Sequence, residues 1–248
     1  MSPPAAVRRG AAGVLLAAVS ALGGCASVPH PNPADPFEGF NRSVQRFNDA
    51  VDDAVLVPVA SAWRDHVPSF VRTGVGNFFG NLDDAWSAVN HLLQAKPEPA
   101  LTMTMRVAVN TVFGMLGLLD IGSEAGLERQ SEDFGQTLGR WGLPPGPYLV
   151  LPLLGPSSVR DAAGRPLDMA ATSTARIGLE EGEITAASML NIVDTRSRLL
   201  GASRLLEQAA LDRYIFLRDA YLARRRNLVY DGDPPPLPEP DWEEPAER

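Results

Sequence analysis

Proline and glycine residues punctuate the apolar stretches of this sequence, so its helices are expected to be short. The chain of 248 residues contains 22 of each, and both residue types end or weaken helices. Between them, apolar residues recur at spacings of three and four, which indicates amphipathic helices. The clearest runs are 38–57, which Pro58 is expected to end, 70–82, 82–93 and 186–228. No stretch shows the alternation typical of strands, so the predicted fold class is mainly α, a single domain of short amphipathic helices.

Glycines also lie inside one predicted helix, that of residues 70–82. Gly74, Gly76 and Gly80 each cost about 1 kcal/mol relative to Ala in a helix interior. We therefore expect another part of the backbone to pack closely against this helix.

The single cysteine, Cys25, directly follows a segment typical of a secretory signal. Arg8 and Arg9 precede a short apolar run, and small residues stand before the cysteine. The apolar run is about half of the ~20 residues that a membrane-spanning helix requires. The Leu-Gly-Gly-Cys sequence ending at Cys25 resembles the lipobox of bacterial lipoproteins, with Gly23 where Ala or Ser is usual. We predict a signal peptide at 1–24 and lipidation of Cys25; the alternative is a buried free thiol.

The residue after the cysteine bears on localisation. Ala26 stands where an Asp would resemble the signal for retention at the inner membrane. Several acyl chains together hold a protein firmly at a membrane. The predicted location is therefore the periplasmic side of the outer membrane, through a lipid anchor.

Composition divides the rest of the chain into three parts. Residues 25–36 form a Pro-rich lipidated tether, 37–230 form the folded domain, and 231–248 form an acidic, Pro-rich tail that we predict to be disordered. Without the two arginines of the signal, 20 basic residues stand against 30 acidic ones, a net charge of −10. Since nucleic-acid-binding proteins carry a basic surface, no nucleic-acid partner is expected.

The most apolar stretch, Pro99–Gly122, is long enough to span a membrane but carries Arg106 and Asn110 near its centre. A central Arg costs about 2.5–3.5 kcal/mol on membrane insertion. Two interpretations avoid this cost. The helix lies in the membrane interface with Arg106 reaching toward the headgroups, or it is a core helix in which Arg106 pairs with an acid.

Two further segments allow two interpretations each. Gly142–Pro156 is apolar but rich in proline, which excludes a helix and a central strand. It packs either against lipid or another protein, or over the core of its own domain. Arg224, Arg225 and Arg226 crowd the end of the last helix, where cations interact favourably with the helix C-terminus; the alternative is that they bind lipid phosphates.

Motifs of enzymes and metal proteins are missing from the sequence. His30, His66 and His91 have no second His or Cys at metal-ligand spacing, so neither a metal nor a cofactor is predicted. No nucleotide-binding glycine motif and no nucleophile elbow occurs. The best catalytic combination, Ser157 with His66 and Asp65, rests on residue type alone. We therefore expect a protein that is not an enzyme.

Many short segments between Asp35 and Arg226 follow one family pattern. They are Asp35–Arg42, Phe47–Asn48, Pro58–Pro68, Gly76–Leu82, Asn90–Gln94, Arg106, Asn110–Thr111, Gly114–Gly122, Phe134–Gly139, Gly142, Gly146–Tyr148, Leu151–Pro152, Gly155–Ser157, Arg160–Asp161 and Asp212–Tyr221. In this order they resemble the MlaA/VacJ family of outer-membrane lipoproteins. The segment 170–207 has no match that can be carried over by residue.

The resemblance implies a fold and a function. Members of this family form a helical ring set in the inner leaflet of the outer membrane, with an amphipathic channel through its centre. They remove misplaced phospholipids from the outer leaflet and pass them to a soluble periplasmic carrier linked to an inner-membrane ABC transporter. Lipid asymmetry is maintained in this way, and trimeric porins are the expected outer-membrane partners.

A lipid channel needs apolar wall for the acyl chains and polar wall for the headgroup. We predict that the two apolar segments described above supply the wall or rim. The residues selected are Arg106, Asn110, Phe113, Gly114, Tyr148 and Leu151. Two other functions compete with this one: a structural lipoprotein that scaffolds porins and moves no lipid, and a phospholipase that uses Ser157.

Overall fold

The fold is seen in a computed structural model that describes residues 32–173, 178 and 180–236. The predicted signal peptide, Cys25, most of the tether and the tail from residue 237 lie outside the described residues. The described chain is a single, mainly helical domain, which confirms the predicted fold class.

The first helical path is longer than the sequence pattern indicated. Helix α1 (Glu38–Val51) runs through a π-helical turn (Asp52–Leu56) directly into α2 (Val57–His66). The prediction that Pro58 ends the first helix is therefore wrong. Pro58 is the second residue of α2 and directly follows the π turn, and this wider turn carries the helix past a residue that lacks an N–H donor.

The next two predicted runs form one helix, α3 (Ser69–Leu93), which packs along α4 (Pro97–Val112). Its glycines do not all meet a backbone. Gly74 faces the carbonyl and side chain of Leu118, but Gly76 and Gly80 lie under the side chains of Arg198 and Arg129. The close packing was expected, whereas the groups that supply it are largely guanidinium ions.

The segment after α4 holds two short helices and a hairpin. The helices are α5 (Ile121–Glu124) and α6 (Phe134–Arg140), and strands β1 (Tyr148–Leu151) and β2 (Gly155–Ser158) pair antiparallel with Tyr148 opposite Ser158. The expectation of no strands is wrong here. Each strand has only four residues, too few to display alternation, and in a two-stranded sheet both strands are edges that tolerate Pro156.

Three helices complete the domain: α7 (Val159–Ala171), α8 (Glu181–Ala209) and α9 (Arg213–Val229). The predicted run 186–228 is thus two helices rather than one. The side chain of Asp212 caps the second of them by accepting hydrogen bonds from the backbone N–H groups of Tyr214 and Ile215, at 2.9 and 3.2 Å. An Asp at this position satisfies N–H groups that have no partner within the helix.

The distribution of side chains is inverted relative to an ordinary soluble domain. Among the described residues, buried polar and charged side chains outnumber buried apolar ones, and the apolar core centres on the small cluster Val44, Tyr148, Val150 and Tyr214. Large apolar side chains are exposed along nearly every helix. No described helix combines the length and the apolar character that a membrane crossing requires.

Candidate functional site

Arg106 lies at the centre of a buried polar network. Its side chain, on α4, is fully buried, and Nε donates to Oδ2 of Asp84 at 3.0 Å. Nη2 donates to both carboxylate oxygens of Asp120, at 2.9 and 3.1 Å, and Nη1 donates to the Ser123 hydroxyl and the Leu127 carbonyl. Of the two interpretations of Pro99–Gly122, the structure therefore supports the one in which Arg106 pairs with acids.

Asn110, one helical turn after Arg106, extends the same network. Its Nδ2 donates to Oδ1 of Asp120 at 3.1 Å, and its Oδ1 accepts from the Gly122 N–H at 2.7 Å. Residues four apart on a helix share a face, which explains why both side chains reach Asp120. Together they fix the start of α5 against α4.

The two carboxyl groups bound by Arg106 have opposite pKa shifts. Burial raises the pKa of Asp84 above its usual value, in spite of the neighbouring Arg129 and Arg106. Burial also acts to raise the pKa of Asp120, but hydrogen bonds from Ser123, Asn110 and Arg106 outweigh it and lower that pKa to about 2. Hydrogen bonds to a carboxylate favour its charged form, so Asp120 is the firmly ionised partner.

An apolar loop of residues 113–119 follows α4 and is open to solvent. Phe113, Met115 and Leu116 are 71%, 66% and 70% exposed. Met115 and Leu116 have positive φ angles of 54° and 60°, and Gly117 follows with 93°. Two consecutive non-glycine residues in the left-handed region are costly, so the contacts at the base of the loop must hold this conformation.

Gly114 has a backbone role within this loop. A Cβ at this position would lie 2.3 Å from the Leu119 carbonyl oxygen and 2.4 Å from that of Asn110. The Leu119 N–H donates to the Gly114 carbonyl at 2.9 Å, which closes the loop. Any larger residue at Gly114 therefore changes the loop itself, whatever lies outside it.

Tyr148 and Leu151 belong to a second cluster around the hairpin. The Tyr148 ring is fully buried and lies edge-on to Tyr214, with 6.1 Å between ring centroids. Asn41 of α1 brackets β1 by donating to the Tyr148 carbonyl at 3.0 Å and accepting from the Val150 N–H at 2.9 Å. Leu151 is half-buried, and its carbonyl accepts from Asn48. The Gly142–Pro156 segment thus packs its strand over the domain's own core.

The structure brings the predicted site residues together only in part. Arg106 and Asn110 share Asp120 as a partner, the Asn110 carbonyl accepts from the Gly117 N–H of the loop that Gly114 shapes, and Phe113 projects from that loop into solvent. Tyr148 and Leu151 belong to the hairpin cluster, which shares no residue with the first. Their assignment to a channel wall or rim stays a prediction.

The acidic residues of these two clusters were not predicted from the sequence. Asp84 lies on a polar face of α3 with Asn81, Ser87 and His91, and Asp120 lies at the end of an apolar run, so neither interrupts an apolar pattern. Asp35, in the segment before α1, accepts from Asn41 at 2.8 Å and from the Tyr214 hydroxyl.

The three terminal arginines have different surroundings. Arg225 is buried, and its Nη2 donates to Asp133 and to Asp161, both at 2.9 Å. Arg226 donates to the Pro235 carbonyl, whereas Arg224 borders a cavity of about 560 Å³ beside His91 and Arg129. Arg225 is thus an internal ion-pair partner, which neither interpretation from the sequence anticipated.

Ser157, His66 and Asp65 do not form a catalytic arrangement. The Ser157 hydroxyl is buried and donates to the Ser158 carbonyl, His66 Nδ1 lies 3.0 Å from the Ala62 carbonyl, and Asp65 pairs with Arg64. A nucleophile and its base must lie within hydrogen-bond reach of each other. In the described part of the chain, no group of His, Cys, Asp and Glu side chains is arranged to hold a metal ion.

A helical domain with a polar interior and exposed apolar side chains, preceded in the sequence by a segment that resembles a lipobox, is typical of a membrane-associated lipoprotein. Residues 33–228 match the family model described as MlaA lipoprotein. The chain belongs to the MlaA lipoprotein family, as its sequence segments indicated.

Individual relatives are similar along nearly their whole length. The intermembrane phospholipid transport system lipoprotein MlaA of Escherichia coli strain K12 is 36% identical over 228 residues, which cover 89% of each chain. The protein of the same name from Haemophilus influenzae is 34% identical over 228 residues, covering 88% of this chain and 89% of the relative.

One solved structure, described as "Structural basis for maintenance of bacterial outer membrane lipid asymmetry", has the same fold. It aligns with a TM-score of 0.68 at 36% sequence identity and covers 79% of this chain and 98% of that chain. The helical architecture is thus shared with a protein of similar sequence.

Proposed function

We propose that this protein transports phospholipids between membranes and thereby maintains the lipid asymmetry of the outer membrane. The observation that carries the proposal is the 36% identity, over 89% of both chains, to an intermembrane phospholipid transport system lipoprotein. The exposed apolar side chains on nearly every helix give independent physical support, since large apolar surfaces mark contact with lipid or protein.

The finer proposal concerns the route of the lipid. Misplaced phospholipids leave the outer leaflet through an amphipathic channel in a helical ring set in the inner leaflet. The 113–119 loop, with Phe113 exposed and Gly114 shaping its turn, supplies apolar wall. Arg106 and Asn110 support this loop from inside the protein, and Tyr148 and Leu151 anchor the hairpin at the rim.

Anchoring and partners complete the proposal. Cys25, once lipidated after removal of residues 1–24, holds the protein at the periplasmic side of the outer membrane, and residues 25–36 act as its tether. The lipid passes to a soluble periplasmic carrier that serves an inner-membrane ABC transporter. Trimeric porins are the outer-membrane partners. The conduit is passive: it performs no catalysis and needs no cofactor. The energy for transport comes from elsewhere.

The deciding experiment measures phospholipid in the outer leaflet of intact cells with an amine-reactive probe that does not cross the membrane. Deletion of the gene should raise labelled phosphatidylethanolamine. The wild-type protein should reverse the rise, and Cys25→Ala should not, although both are expressed equally. An unchanged outer leaflet after deletion would contradict the proposal and favour the porin scaffold. Release of lysophospholipid that depends on Ser157 would favour the phospholipase.

A further inference from the structure

Two arginine side chains lie against two of the three glycines of α3, Gly76 and Gly80. A Cβ at Gly76 would come within 2.7 Å of Arg198 Nη1, and a Cβ at Gly80 within 2.9 Å of Arg129 Nη1. Both guanidinium groups therefore rest against the helix where only glycine leaves room for them. Residues four apart on a helix have Cβ positions about 5–6 Å apart, so the two cations lie side by side.

A buried carboxylate holds each guanidinium in place. Arg198 Nη2 pairs with Asp194 at 2.9 Å, and Asp194 also accepts from the Trp63 indole N–H at 3.0 Å. Arg129 Nε pairs with Asp84 at 2.9 Å, whose other oxygen binds Arg106. Both carboxylates are almost completely buried. Such fixed geometry is typical of cations that bind a ligand rather than move freely in solvent.

Part of each arginine side chain is open to solvent. The side chains of Arg198 and Arg129 are 54% and 35% exposed. Within the described part of the chain, Arg198 Nη1 has no hydrogen-bond acceptor, and the remaining ion-pair contact of Arg129, with Asp120, is long at 3.9 Å. Donor groups that are positioned but not used are therefore present where these two side chains reach solvent.

Asp83 lies one turn further on the same face of α3 and is exposed. Burial by the surrounding protein raises its pKa to about 6, with the Asp84 carboxylate adding to the rise and Arg129 and Arg198 opposing it. The side chain is thus open to solvent but placed in a concave part of the protein, within the electric field of both arginines. A bound anion would compete with it.

The adjacent face of α3 carries the apolar 113–119 loop. Asn77 Nδ2 donates to the Leu118 carbonyl at 3.0 Å, and Gly74 contacts the Leu118 side chain. One helix therefore presents two fixed cations next to an exposed apolar surface. Phosphate groups pair strongly with arginine, and acyl chains pack on apolar side chains, so this juxtaposition matches a phospholipid better than free phosphate.

We propose that Arg129 and Arg198, seated on Gly80 and Gly76, form a binding site for the phosphodiester of a phospholipid, whose acyl chains lie against the 113–119 loop. A phosphate can accept hydrogen bonds of about 2.8 Å from both guanidinium groups when these are seated four residues apart on one helix. The inference rests on the proposed function and deepens it, because it assigns the polar part of the route to residues that no sequence pattern selected.

The test uses the full-length lipidated protein in detergent and calorimetric binding of dihexanoyl phosphatidylglycerol. Arg198→Gln and Arg129→Gln should each weaken binding about tenfold, as expected for loss of a charged hydrogen bond. Gly76→Ala keeps every charge but displaces the Arg198 guanidinium, so it should weaken binding as well. Arg204→Gln changes another exposed arginine of α8 and is the matched control, with unchanged affinity. Asp83→Asn removes a competing carboxylate and should strengthen binding.

Each other outcome has a distinct meaning. Wild-type affinity in both Arg198→Gln and Gly76→Ala would overturn the site but leave lipid transport standing. Failure of the wild-type protein to bind the lipid at all would contradict the proposed function as well. Inorganic phosphate binding as tightly as the lipid would replace the phospholipid by free phosphate as the ligand. Far-UV circular dichroism of every variant separates lost binding from lost folding.

Discussion

Replacing Arg106 by Met should lower the stability of the domain more than any substitution at its surface. The guanidinium donates to two carboxylates, a hydroxyl and a carbonyl, and it is fully buried. Met has a similar length and fills the space without donating. The side chains left behind, above all Asp84, would then lie in the protein interior with fewer partners.

The magnitude follows from the surroundings of the two acids. Removing one partner of a buried ion pair typically costs about 3–5 kcal/mol, because a charge stays behind uncompensated. Asp120 is partly exposed and keeps hydrogen bonds from Ser123 and Asn110. Among the described residues, Asp84 keeps only Arg129 as a partner. Most of the cost should therefore arise at Asp84, and we expect Arg106→Met to lower the free energy of unfolding by about 3–5 kcal/mol.

A double-mutant cycle isolates this pair. Asp84→Asn in the Arg106→Met background removes the uncompensated charge, so the double variant should be more stable than the sum of the single effects by about 1–3 kcal/mol. The assay is urea unfolding of the detergent-solubilised protein, followed by circular dichroism at 222 nm. Arg64→Met, at an exposed ion pair with Asp65, is the matched control and should change nothing measurable. A cost below about 1 kcal/mol for Arg106→Met would refute the reasoning.

Three further predictions concern other parts of the domain. Gly114→Ala should cost about 1–3 kcal/mol, because its Cβ meets two backbone oxygens; urea unfolding measures this, and a neutral effect would show that the loop can rearrange freely. Asp83 has a folded pKa of about 6, above its usual 3.8, so its ionised form opposes folding as pH rises from about 4 to 6 and fully above that. Asp83→Asn should therefore stabilise the protein at pH 8 by about 1 kcal/mol and should have no effect at pH 4. The expected gain is well below the ~3 kcal/mol of the full pKa shift because solvent reaches the carboxyl group. An equal effect at both pH values would exclude the titration of Asp83 as its cause. Tyr214→Phe removes the hydroxyl that binds the buried Asp35 and should cost about 1–3 kcal/mol in thermal or urea unfolding, whereas wild-type stability would mean that water replaces it.

Local patterns predicted the helices of this protein but not the contacts between them. Apolar residues three and four apart mark α1 and α3, because one face of each helix carries most of its apolar residues. The hairpin escaped prediction because four-residue strands next to Pro152 and Pro156 show no alternation. Pro58 was predicted to end the first helix because proline breaks helices, but the π-helical turn before it carries the helix past this residue.

The candidate site was predictable only where an unusual residue interrupts a pattern. Arg106 and Asn110 were selected because they are polar residues in an apolar run, and both are central to one buried network. Their partners were not predictable, because Asp84 comes 22 residues before Arg106 in the chain and only the packing of α3 on α4 joins them. The contacts of Asn41 with β1 cross more than a hundred residues. Arg198 lies in the segment 170–207, where no family residue could be carried over from the sequence, and its position on Gly76 is a property of the tertiary fold alone.

The inverted distribution of side chains has a thermodynamic consequence. The heat capacity of unfolding arises chiefly from apolar surface that becomes newly hydrated, at about 12–15 cal/mol/K per residue in ordinary globular proteins. Much of the apolar surface here is already outside in the folded chain, and the interior is rich in polar groups, whose exposure lowers the heat capacity. Calorimetry should therefore find an unusually small heat-capacity change. The stability curve would be correspondingly less curved, so that this domain loses little stability on cooling.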